Sequence, residues 1–96
     1  MSAEISKSQV SDMVKTVFER VLNGQEINDG FSLNDELIDS LTRVEVVMEL
    51  ESAISSEFSI KESIPEQFTD GLSTVGELTD KLYHFLNQKI LASGGE

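Results

Sequence analysis

The chain has 96 residues, 39% of them apolar and 6% aromatic, and its lack of cysteine excludes disulfides, thiolate metal sites and cysteine nucleophiles. That length predicts one domain over residues 1–96 with a single modest, aliphatic core. Seven lysines and arginines against 18 aspartates and glutamates leave a net charge of −11, which disfavours nucleic acid and anionic membranes as partners and favours basic proteins.

The opening "MSAEISKSQ" lacks the basic start and apolar run of a signal peptide. No stretch approaches the roughly 18 apolar residues of a membrane span, so a cytoplasmic protein without membrane insertion is expected. Val10, Met13, Val14, Val17, Phe18, Val21 and Leu22 repeat at helical spacing and predict a first helix. Ser6 or Ser8 can cap its start, and Asn23–Gly24 ends it. From Gly24 to Asp39 the period disappears. Turn formers and the scattered apolar residues Ile27, Phe31, Leu33, Leu37 and Ile38 read as a long ordered loop, and loops beyond about 12–15 residues tend to be functional.

A second helix is expected from Ser40, with Leu41, Val44, Val47, Met48, Leu50, Ile54 and Phe58 on its buried face and Glu45, Glu49, Ser52 and Ser56 turned outward. "SIPEQF", Ser63 to Phe68, predicts a short helical turn, because Pro65 suits a first helical position and Glu66 the positive helix start. Thr74 and Glu77 have capping-box spacing and open a last helix. Its stripe is Val75, Leu78, Leu82, Phe85, Leu86 and Ile90, after which "SGGE" frays. The expected fold is all-α: a small four-helix bundle of three longer helices and one short one, with a long loop between helices 1 and 2 and a helical core over about residues 6–92.

Few residues are equipped for chemistry. There is no phosphate-cradling glycine loop, no HExxH and no Gly-x-Ser-x-Gly elbow. "NGQEINDG" is polar like a calcium loop, but Ile27 stands where a ligand belongs, so no metal site is expected. The Asp35/Glu36 pair reads as solvated surface, and His84, between Tyr83 and Phe85, as a structural residue. The chain is not expected to be an enzyme. Ser40 differs: it closes the long loop and opens an acidic, apolar-striped helix. Its bland reading is a helix N-cap. The sharper one is an attachment site, since a helix N-terminus favours an anionic group such as a phosphodiester.

The segment "DSLTRVEVVMELE", Asp39 to Glu51, followed by "IPEQFTDGLSTVGEL", Ile64 to Leu78, resembles the acyl carrier protein family, which includes peptidyl and D-alanyl carriers. The resemblance covers about Val10 to Ile90. It implies that Ser40, flanked by Asp39 and Leu41, receives 4′-phosphopantetheine from coenzyme A through a phosphopantetheinyl transferase. The thiol that the chain lacks would then arrive with this arm and hold acyl groups as thioesters, making the chain a phosphoprotein and thioester carrier of fatty acid or secondary metabolite biosynthesis. It also implies partner recognition by Asp35, Glu36, Leu41, Val44, Glu45, Met48, Glu49 and Glu51, and a possible acyl pocket at Val47, Leu50, Ile54 and Phe58. Implied partners are that transferase, an acyl- or aminoacyl-activating ligase and downstream enzymes with basic surfaces, all meeting a monomer.

Departures from the family pattern point to a specialised stand-alone carrier. Glu36 and Leu37 stand where a glycine is frequent, Arg43 adds a positive charge to the recognition helix, and Ser52 replaces a common carboxylate. An aminoacyl, D-alanyl or peptidyl carrier is the near alternative. An unmodified acidic helical adaptor is the more distant one, and it makes Ser40 a cap and nothing more.

Overall fold

The structure, a computed structural model, describes residues 5–36, 38–59, 64 and 66–94. It is all-helical, with three α-helices in chain order: α1 (Lys7–Val21), α2 (Ser40–Phe58) and α3 (Val75–Gly94). Among the described residues there is no strand, only an isolated antiparallel bridge between Ser32 and Thr74. Leu37, Ser63 and Pro65, and the side chains of Glu66 and Ile90, lie outside the described residues.

Helix α1 starts where its first serine permits. Ser6 accepts the Gln9 N–H and the Gln9 side chain accepts the Ser6 N–H, a reciprocal capping box that satisfies two donors at the helix start. Ile5 before the cap and Val10 in the first turn are both buried, the arrangement that fixes a helix entry angle. At the other end Asn23 (φ 59°) and Gly24 (φ 88°) turn left-handed, and the Gly24 N–H returns to the Glu19 carbonyl at 2.6 Å. Val10, Met13, Val14, Val17 and Phe18 are buried, as their spacing predicts. Packing against both α2 and α3, α1 is the element around which the core forms.

The described residues of the connection from α1 to α2, 22–36 and 38–39, are held by burial and by hydrogen bonds to α3. Ile27, Leu33 and Ile38 are buried, and Phe31 packs against the same cluster. The first turn of a helix leaves N–H groups without intrahelical acceptors. Here the loop provides two: the Phe31 carbonyl takes the Val75 N–H at 2.9 Å and the Asp29 carbonyl takes the Gly76 N–H at 2.8 Å. Thr74 accepts the Glu77 N–H, as its spacing predicts, while the Glu77 carboxylate reaches the Ser73 N–H rather than that of Thr74. The long loop is thereby clasped to the start of α3.

Two expectations about the last third of the chain change. The predicted turn over Ser63 to Phe68 is a single 3-10 turn at Glu66–Thr69. Phe68 holds it to α3, edge-to-face on Phe85 at 5.3 Å, with the Lys81 ammonium 4.8 Å above the Phe68 ring and donating to the Phe68 carbonyl. Helix α3 also runs on through Ser93–Gly94, where the sequence predicts fraying.

Candidate functional site

The start of α2 is built by Asp39, not by Ser40. Asp39 is extended (φ −89°, ψ −175°) and its Oδ1 accepts the Thr42 N–H at 2.8 Å, making it the N-cap. That bond holds the Asp39 carboxyl below its ordinary value. Ser40 is therefore the first helical residue, which corrects its reading as a cap. Its side chain is exposed, and among the described residues it has no hydrogen-bond partner.

Ser40 opens onto a cleft of about 740 Å³ between α2 and the segment carrying Ile64. Ile38, Val44, Val47, Met48 and Ile64 give it an apolar wall, and Asp39, Arg43 and Glu51 contribute its charges. Arg43 is tethered there, its Nη2 donating to the Leu33 carbonyl at 2.9 Å, so it joins α2 to the long loop rather than standing free. Of the four residues expected to form an acyl pocket, only Val47 lines this cleft. Leu50 and Ile54 are core residues, each 1% exposed, and Phe58 is half-buried against the core.

The buried face of α2 also differs from expectation. Leu41, Val44 and Met48 are 68%, 53% and 62% exposed, while Val46, Leu50 and Ile54 face the core. These two sets lie on opposite sides of the helix by its 3.6-residue period. Val46, hidden in sequence between Glu45 and Val47, is a core residue that the stripe did not include. The solvent side of α2 thus presents three large apolar side chains at i, i+3, i+7 spacing.

The acidic residues expected to recognise partners do not share one setting. Glu36 and Glu45 are exposed, and Glu45 borders a shallow groove with Met48, Glu49 and Arg20. Glu49 is committed to Arg20 of α1 at 3.3 Å, a tie between helices. Glu51 turns into the cleft, where its Oε2 accepts the Ile64 N–H at 2.6 Å, so its carboxylate is not part of the outward face. Asp35 is half-buried in the loop just before α2. His84 is exposed with its ring against Tyr83, away from the cleft lining. Among the described residues no group of three or more His, Cys, Asp or Glu is placed to hold a metal ion.

The roles of Asp39 and Arg43 were missed in sequence for different reasons. Asp and Ser are equally good N-caps, so "DS" at a helix start does not say which one caps. The acceptor of Arg43 lies ten residues back in a loop without periodicity. No family model, curated protein or solved structure matches the chain.

Proposed function

We propose that this chain is a stand-alone acyl carrier protein, modified on Ser40 with 4′-phosphopantetheine and presenting acyl groups to a series of partner enzymes. The observation that carries the reading is the Ser40 hydroxyl: exposed, uncommitted, at the first position of α2 and at the mouth of the cleft. The neighbouring residues fit the arm. Asp39 does the capping, so the serine can be esterified without unmaking the helix start. The cleft offers an open apolar wall beside the attachment point.

In this reading the Ser40 oxygen bonds to the β-phosphorus of coenzyme A as the pyrophosphate linkage breaks. Adenosine 3′,5′-bisphosphate leaves, and the hydroxyl proton passes to a base on the transferase. The arm supplies the thiol that carries the acyl group as a thioester. Leu41, Val44 and Met48 form the apolar centre of a small docking face, with Glu45 and Glu36 as acidic surroundings that attract basic partners. The same proposal includes a four-helix carrier architecture, with the 3-10 turn Glu66–Thr69 taken as its short helix. It also includes a cytoplasmic location and a monomeric state. The acyl cargo is separated from an aminoacyl or D-alanyl one by the ligase that loads the thiol.

The test is intact mass after incubation with coenzyme A, magnesium and a broad-specificity phosphopantetheinyl transferase, with Ser40→Ala alongside. A gain of one phosphopantetheine on the wild type alone is expected. No gain with this enzyme or a cognate one, on folded protein, would overturn the reading in favour of an unmodified adaptor.

A further inference from the structure

We infer that Arg43 is a positioning residue that clamps the phosphodiester of the arm on Ser40 and so fixes the direction in which the arm leaves the protein. This rests on the carrier reading above. A phosphodiester on Ser40 brings a permanent negative charge to a molecule of net charge −11, beside the carboxylates of Asp39 and Glu51. A cation in the cleft would offset part of that charge, beyond what the helix N-terminus and water supply. The described basic side chains are almost all committed elsewhere: Lys7 to Asp80, Lys15 to Asp29 at 3.2 Å, Arg20 to Glu49, and Lys81 to the Phe68 carbonyl and ring.

Arg43 is anchored as well, by the Leu33 carbonyl, but it is anchored inside the cleft. Among the described basic residues it alone lines the cleft, and it has no carboxylate partner there. It stands three residues after Ser40, and i, i+3 neighbours on a helix have Cβ atoms about 5–6 Å apart, within reach of an esterified phosphate. The Leu33 carbonyl takes one of the five guanidinium donors and anchors the group, leaving donors for a phosphate, whose geometry a guanidinium matches in bidentate fashion. Asp39 and Glu51 each accept a backbone N–H, from Thr42 and Ile64, and neither is paired with Arg43.

Wild type, Arg43→Gln and Arg43→Lys are converted to the phosphopantetheinylated form, each confirmed by intact mass, and the 31P resonance of the phosphodiester is recorded over a sodium chloride series. The wild-type line is expected to be shifted and broadened relative to that of modified Arg43→Gln. Arg43→Lys falls between the two, and salt erodes the difference. In isotopically labelled wild type, the Arg43 Nε–H resonance moves between the unmodified and modified forms. Identical 31P lines for wild type and Arg43→Gln would overturn the clamp. Should Arg43→Gln fail to fold, a stationary Arg43 Nε–H in the wild type would overturn it instead. If no form gains the mass, the carrier reading fails first and takes the clamp with it, an outcome distinct from modified protein with an unclamped phosphate.

Discussion

At the level of single residues, Asp39 caps α2 and Ser40 follows it as the first helical residue, a division of roles that is measurable. Asp39→Ala removes the acceptor of the Thr42 N–H and should lower the melting temperature by several degrees at neutral pH. Ser40→Ala, altering an exposed first-turn hydroxyl without a partner, should stay within about 0.5 kcal/mol of wild type. The pH dependence has a definite sign. The Thr42 N–H depresses the Asp39 carboxyl below its ordinary 3.8, so its contribution is full above that value and fades as pH falls through the lower folded-state value. Thermal melts of wild type and Asp39→Ala should therefore differ at neutral pH and converge in acid. A gap that persists unchanged in acid would remove Asp39 as the charged cap. With Asp39 supplying the cap bond, the Ser40 hydroxyl is left open to covalent use.

Among the helices, α2 is the element whose two faces do different work. Leu50 is 1% exposed in the core, and Leu50→Ala should cost about 2–5 kcal/mol in urea unfolding. Leu41→Ala and Met48→Ala, on the opposite face, should leave stability within about 0.5 kcal/mol and weaken only partner use. The clasp between the long loop and α3 makes a further prediction at Gly76. A Cβ there would meet the Asp29 carbonyl oxygen at 3.2 Å and the Asp29 Cβ at 3.3 Å. That carbonyl is already held by the Gly76 N–H at 2.8 Å and can withdraw only by stretching that bond. Gly76→Ala should thus destabilise by about 1–3 kcal/mol despite alanine's better helix propensity, with faster amide exchange at Val75 and residue 76. The same elements show what was legible in the sequence. Helices α1 and α3 carry one apolar stripe each, and periodicity assigned their buried faces correctly. Helix α2 carries apolar residues on two sides, so periodicity found the helix and its start but could not choose the inward face, and Val46 went unassigned. The partners of Arg43 and Glu51 are set by how the chain outside α2 folds back on it, which no local spacing encodes.

For the molecule as a whole, the decisive property is how its charge is distributed. The net charge is −11, and the described basic side chains are spent on internal contacts: Lys7, Lys15 and Arg20 on ion pairs, Arg43 and Lys81 on backbone carbonyls. A partner approaching the solvent face of α2 meets Glu45 beside Leu41, Val44 and Met48, with the adjacent Arg20 engaged by Glu49. Such a surface should speed encounter with a basic enzyme through the long-range field, while the apolar trio makes the short-range contact. The two contributions separate in a salt series. At an ionic strength of about 0.1 M the screening length is roughly 10 Å, so the steering part fades with added salt while the apolar part does not. On the proposed carrier function, the kcat/KM of a phosphopantetheinyl transferase for this protein should therefore fall several-fold from low to high sodium chloride. Glu45→Lys should lower the low-salt value and flatten the slope, with an unchanged helical circular dichroism signal. Met48→Ala should lower kcat/KM at every salt concentration and leave the slope as it is. A flat wild-type series would reject electrostatic steering, and parallel slopes for wild type and Glu45→Lys would move the steering charge away from α2.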